Sequence, residues 1–224
     1  MHLELPNVRL QSLKDLLKHY LMIVLSILTA LGLEAWIEHA HHVHAAALAR
    51  TQIDAEIRSN LAEVRSSLEQ DARRAKALTQ IRDALVQDFR EHMPDDAVAR
   101  HVQSLVKVEG FNLGLRWPAL RQEAWDVAVA NQSASWIDDA RMRRYSAAYA
   151  GQRDMVTTIS ANLALIMNGP RMVDAMTDLR TGQVQPREFL RVIGQMTLML
   201  DQAQSSLHTL EQHLQVALGD SPRA

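Results

Sequence analysis

The sequence predicts an all-α protein: an N-terminal transmembrane helix continues into a long helix, packed in an antiparallel bundle of three to four long helices with short accessory helices. Three observations carry this. Only 8 Gly and 6 Pro interrupt 224 residues, so the runs between chain breakers are long. Aromatic residues make up 4% of the chain while Ala, Leu, Gln and Arg abound, a composition that suits helix better than sheet. Apolar residues also recur at three- and four-residue steps through most of the sequence, the period of a helix with one buried face.

The first element is the run Tyr20–Ile37 (YLMIVLSILTALGLEAWI), whose one charge, Glu34, lies near its end. Eighteen helical residues cover about 27 Å, close to the ~30 Å hydrocarbon core of a bilayer. The eight Leu, Ile and Val residues from Leu21 to Leu33 contribute roughly −0.3 to −0.6 kcal/mol each on insertion, about −2 to −5 kcal/mol together. Ser26, Thr29 and Gly32 offset part of that gain. Tyr20 and Trp36 stand where amphipathic rings prefer the headgroup layer, and Lys18 can extend outward. A retained anchor fits these features best. A cleaved signal peptide and a buried core helix are the alternatives. Arg9, Lys14 and Lys18 precede the run, whereas the first basic residue after it is Arg50. Positive flanks stay cytoplasmic, so residues 1–19 are expected inside and residues 38–224 form an extracytoplasmic domain, periplasmic in a bacterium.

Beyond the anchor, Ile57, Leu61, Val64, Leu68, Ala75, Leu78, Leu85 and Phe89 mark one face of a helix expected to run unbroken to about His92. Strict continuation of the seven-residue pattern would put Asp71 and Arg82 on the apolar seam. Pro94 ends this helix, and Asp95 and Asp96 favour the start of another, reaching about Val108. Glu109–Trp117, with two glycines and no periodicity, reads as a loop. Pro118 suits a first helical position and predicts a helix through Ala130. Asn131–Ser133 breaks it, and Ser135 followed by Asp138 reads as a capping box for a helix from Trp136 to Met167. Asn168-Gly169-Pro170 stops that helix, a brief one follows over 171–179, and 181–185 turns the chain. The last helix, 186–218, has the most regular pattern: Ile193, Met196, Leu200, Ala203, Leu207, Leu210, Leu214 and Ala217 alternate steps of three and four.

The order of these pieces resembles a group of uncharacterised bacterial single-span membrane proteins with an N-terminal anchor and a helical extracytoplasmic domain. The matching stretches are IVLSILTALGLEAWIE (23–38), the charged helix 53–68, and EAWDVAVANQSASWIDDARMRRYSAAY (123–149). This chain departs in carrying His39, His41, His42 and His44 where such proteins usually show Glu, Arg and Asn. The resemblance implies an envelope location and a helical fold. It implies no catalytic residue.

Several clusters invite a chemical reading. His41 and His44 lie three apart on one helical face, and Glu38 and His42 four apart on another, so His39, His41, His42 and His44 are candidate metal ligands. A complete site would need further ligands, and a polar collar just outside the headgroups is the plainer account. Methionines crowd the C-terminal half, where packing explains them better than copper binding. Trp117, Trp125, Trp136, Tyr145 and Tyr149 hold every Trp and Tyr outside the anchor. With Arg143 and Arg144 they are the candidate lining of a ligand pocket near the Gly110–Gly114 loop, or else rings that plug a helix junction. Ser26 and Ala30 form a small-residue pair that could let two anchors approach.

The function classes narrow accordingly. A net charge of −2 with mixed signs gives no footprint for nucleic acid. Absence of Cys removes disulfides, thiol catalysis and Cys-ligated zinc. No phosphate cradle or nucleophile–base motif is present, and no cofactor is implied. The expected role is a non-enzymatic, membrane-anchored interaction or assembly module of the bacterial envelope. Its expected partners are the lipid bilayer and a second copy or another envelope protein. The alternative is a ligand-sensing domain acting through a partner.

Overall fold

A computed structural model describes residues 13–109, 116–167 and 170–219. Six α-helices account for nearly all of them: α1 (Leu13–Arg90), α2 (Asp95–Glu109), α3 (Glu123–Ala130), α4 (Asp139–Met167), α5 (Pro170–Thr181) and α6 (Pro186–Leu218). A single 3-10 turn, Ser133–Trp136, sits between α3 and α4. No strand occurs among the described residues. The predicted all-α bundle, with a long N-terminal helix packed against the others, is what the chain forms.

α1 runs for 78 residues without a break, from the apolar run into the bundle. Among the described residues one helix, this one, is long and apolar enough to cross a membrane, and the apolar window has no part buried. The first buried residues on α1 are Ala46 and Ala49. From there α1 and α6 lie antiparallel, because the end of α6 (Leu207, Leu210, Leu214, Ala217) shares a core with Ile53–Leu68, while its beginning (Phe189–Leu200) shares one with Leu78–Leu85. All eight seam positions predicted in α6 are buried.

The two cores use different third partners. The first is completed by α3, the 3-10 turn and the first half of α4. The second is completed by α2 and α5. Of the three long helices, α6 alone runs against the others. α4 runs the same way as α1, since Tyr145, Tyr149 and Gln152 bond to Asp54, Glu56 and Asn60 in ascending order. Parallel neighbours need a long return connection, and residues 116–137 supply it.

Helix ends explain the remaining differences from expectation. α1 closes on His92, which adopts φ 56°, and the Met93 and His92 amides donate back to the Asp88 and Phe89 carbonyls. This paired closing turn satisfies carbonyls that the helix leaves open, and it usually carries Gly at the left-handed position. A side chain there costs roughly 1–2 kcal/mol, more than the extra flexibility of Gly in the unfolded chain. His92→Gly is therefore expected to stabilise the protein by roughly 0.5–1 kcal/mol, read from the midpoint of chemical denaturation in detergent micelles. Asp95 and Asp96 open α2 as predicted.

The helix predicted from Pro118 instead begins at Glu123, and residues 116–122 are irregular. The backbones of Arg116 and Arg121 bond to side chains of α1. The capping box predicted at Ser135 is displaced too. Ile137 is extended, and Asp138 caps α4 by accepting from the Arg141 amide at 2.9 Å. Ser135 Oγ donates to the Gln132 carbonyl instead. The break predicted at Asn168-Gly169 lies outside the described residues. On the α1 seam Asp71 is fully buried, as strict periodicity implied, but Ile81 takes the place of Arg82.

Candidate functional site

Four buried polar residues, Glu56, Asn60, Ser67 and Asp71, line one side of α1. Spacings of four, seven and four keep them within one stripe beside the apolar seam. A buried polar group needs a partner. Three of them meet the return segment, which descends α1 in the opposite sense.

At the far end Asp71 Oδ1 accepts from Arg74 Nη1 at 2.9 Å and from the Arg116 amide at 3.4 Å. In the middle the Asn60 carboxamide clamps the backbone of Arg121, donating to its carbonyl at 2.7 Å and accepting from its amide at 2.9 Å. Gln152 of α4 donates to the same carbonyl at 3.0 Å and accepts from Asn60 at 3.1 Å. Nearest the apolar end, Glu56 sits at the N-terminus of α3. Its carboxylate accepts from the amides of Ala124 (2.9 Å) and Trp125 (3.4 Å) and from the Tyr149 hydroxyl (2.6 Å). An anion there answers the unpaired amides and the positive end of the helix dipole. α3 has no side-chain cap of its own, so α1 provides one.

The predicted aromatic cluster falls partly on this junction. Tyr145 and Tyr149 are 0% and 1% exposed, and Trp125 stacks on Tyr149 with centroids 5.0 Å apart. Tyr145 donates its hydroxyl to Asp54, which also faces Arg141 at 3.8 Å. Burial, reinforced by Asp54, pushes the Tyr145 phenol up to about 12, and burial with Glu56 pushes Tyr149 higher still. Both phenols are therefore donors at any ordinary pH. The rings fill the space between α1, α3 and α4. Trp117 is half-buried, Arg143 is exposed, and Arg144 is half-buried. Gly110–Gly114 lies outside the described residues. Beside the junction a shallow groove of 550 Å³ is bordered by Glu56, Ser59, Arg121, Glu123 and Val127, with no aromatic ring among its walls.

Trp136 is elsewhere. It lies flat on His42 (centroids 4.2 Å, planes 8° apart) and edge-on to His39 at 6.0 Å. His42 also faces Glu38 at 3.7 Å, the predicted pair, while His41 and His44 are exposed. Among the described residues no three His, Asp or Glu side chains gather as metal ligands. Sequence reasoning placed the histidines and the tryptophan in separate clusters, and the structure joins them. It also missed Glu56 and Asn60, which the helical pattern did not single out.

Asp71 carries a testable charge effect. Its second oxygen, Oδ2, is buried with no hydrogen-bond partner among the described residues. Burial raises its pKa above the usual carboxylate value, against the lowering by the Arg116 amide and by Arg74. A raised carboxyl gives stability that is complete below the unfolded value and lost as pH rises through the folded one. Wild-type stability is accordingly expected to fall from pH 4 upward by more than in Asp71→Asn. That variant should therefore gain on the wild type between pH 4 and pH 8. Parallel denaturation curves at both pH values would contradict this.

Comparison with protein-family models, with curated proteins and with solved structures finds no match to this chain.

Proposed function

We propose that the protein is a membrane-tethered helical module of the bacterial envelope that acts by binding a protein partner, a second copy of itself in the first instance. Residues 20–37 span the inner membrane, the N-terminus is cytoplasmic, and the bundle stands in the periplasm. The observation that carries this is the bareness of the apolar run. Between Leu21 and Leu33 only Val24 is partly covered, and the other eight large apolar side chains are more than half exposed. Covering a side chain of that kind is worth roughly 1.5–3 kcal/mol, or about 12–24 kcal/mol for eight. A whole domain is stable by only about 5–15 kcal/mol. Such a surface does not stay in water, and a bilayer matches its length.

The continuity of α1 supports a rigid link between span and bundle. Groups that a catalyst would keep available, the Tyr145 and Tyr149 phenols with Asp54 and Glu56, are committed to bonds that tie α1 to α4 and, through Glu56, to α3. This favours an assembly role over an enzymatic one, and the packed junction argues against a small-molecule sensor. Carbonate washing of membranes should leave the intact chain in the pellet, and protease added outside spheroplasts should digest the bundle. Release of the chain by carbonate would sink the tether. Cross-linking in membranes that yields monomer alone would sink self-association.

A further inference from the structure

The end of the bundle nearest the apolar run has an unusual surface. Two stretches of eleven residues meet there, 39–49 on α1 and 127–137 across the end of α3 and the 3-10 turn, and neither contains Asp, Glu, Lys or Arg. At the chain's 22% charged content, twenty-two residues would carry about five. The stretches are in direct contact. Trp136 packs on His42 and His39, and with Ile137 it borders a hollow of 200 Å³ against Val43, Ala46 and Ala47, with Arg50 and Asp138 at its edge. Trp136 nevertheless stays 46% exposed and Val43 51%.

Distance along α1 says what lies beside this surface. His39 and His42 are two and five residues past Ile37, so about 3 and 8 Å beyond the end of the span. The headgroup layer on each side of the hydrocarbon is roughly 5–8 Å deep. The exposed Trp136 ring therefore falls within the layer where indole rings concentrate.

We propose that the Ser133–Trp136 turn is a second membrane contact: a foot that seats Trp136 among the lipid headgroups and fixes how the bundle stands on the bilayer. Two stretches without Asp, Glu, Lys or Arg lose less on leaving water than an ordinarily charged surface, and the neutral polar groups of Asn131, Gln132 and Ser135 suit the hydrated headgroup zone. The foot is built from the return segment, so the polar stripe of α1 that positions this segment also positions the foot. This inference rests on α1 spanning the membrane.

Because the chain has no Cys, a single introduced one takes a nitroxide label uniquely. Full-length Ser135→Cys, Leu28→Cys and Thr157→Cys would be labelled in vesicles of phosphatidylethanolamine and phosphatidylglycerol. Collision with oxygen would be compared with collision with a water-soluble nickel complex. The oxygen-to-nickel ratio at 135 is expected several-fold above that at 157 and below that at 28. Ala130→Cys gives a second position on the same surface should Ser135→Cys perturb the turn. A lipid-like ratio at 28 with equal ratios at 135 and 157 would overturn the foot and leave the tether standing. Equal ratios at 28 and 157 would bring down both. Dipolar broadening between labels at 135 would assign the surface to a second copy and overturn the proposal.

Discussion

Glu56→Ala is expected to destabilise the protein by about 3–5 kcal/mol, the largest effect of any single polar substitution in the bundle. The carboxylate is 9% exposed and accepts from two α3 amides and the Tyr149 hydroxyl. Deleting it strands three donors, and a buried unsatisfied donor costs about 1–3 kcal/mol. Removing a buried charge returns part of that, which is why the expected loss is below the full sum. The loss should also be local. With its cap gone, α3 has no side chain to hold its first turn, so residues 116–125 should become cleavable by protease under conditions where α6 remains intact. Tyr149→Phe removes one of the three donors and is expected to cost roughly 1–2 kcal/mol. The double variant should lose less than the two singles added together, because they share a bond. Glu69→Ala, on the exposed side of α1, should stay within about 0.5 kcal/mol. A cost below 1 kcal/mol for Glu56→Ala would mean that α3 is held by its apolar contacts alone.

This result would bear on how a periodic sequence conceals its own organisation. α6 was fully legible, from Pro186 at its first turn to the eight buried seam positions, because every cue lies within the helix itself. The return segment was not. Pro118 is a sound local signal for a helix start, yet Arg116 and Arg121 bond to side chains 45 and 61 residues away. A competition between a helix's own amides and a distant Asn or Glu leaves no trace in local periodicity. The same reason hid the site. Glu56 and Asn60 fall beside the apolar seam on a helix that carries charges along most of its length, and nothing local separates a buried cap from a solvated carboxylate. One sign was visible: Asp71 on the seam itself. A carboxylate where the pattern demands an apolar residue signals a polar partner elsewhere in the chain. The aromatic cluster was legible as a packed junction, but its split into a Tyr145–Tyr149–Trp125 group and a Trp136–histidine group depends on where the return segment ends.

Leu25→Arg combined with Leu28→Arg is expected to abolish stable membrane association while leaving the bundle folded. The favourable insertion energy of the run is only about 2–5 kcal/mol. Each Arg at the helix centre adds roughly 2.5–3.5 kcal/mol, and each lost Leu removes a few tenths more, so one replacement nearly cancels insertion and two reverse it. A helix anchored by long, strongly apolar segments would tolerate such a change, and this one has no such margin. The bundle should not respond, because Leu25 and Leu28 are 61% exposed and the buried core starts at Ala46. The doubly substituted chain is thus expected in the soluble fraction, with its helical circular dichroism outside the anchor and its cooperative unfolding retained. Conservative Leu25→Val with Leu28→Val should remain in the membrane pellet. If the double Arg chain stayed with membranes after carbonate washing, a surface other than the apolar run would be holding it, and the position of the tether on α1 would be refuted. If it aggregated and unfolded, the run would instead belong to the protein's own core.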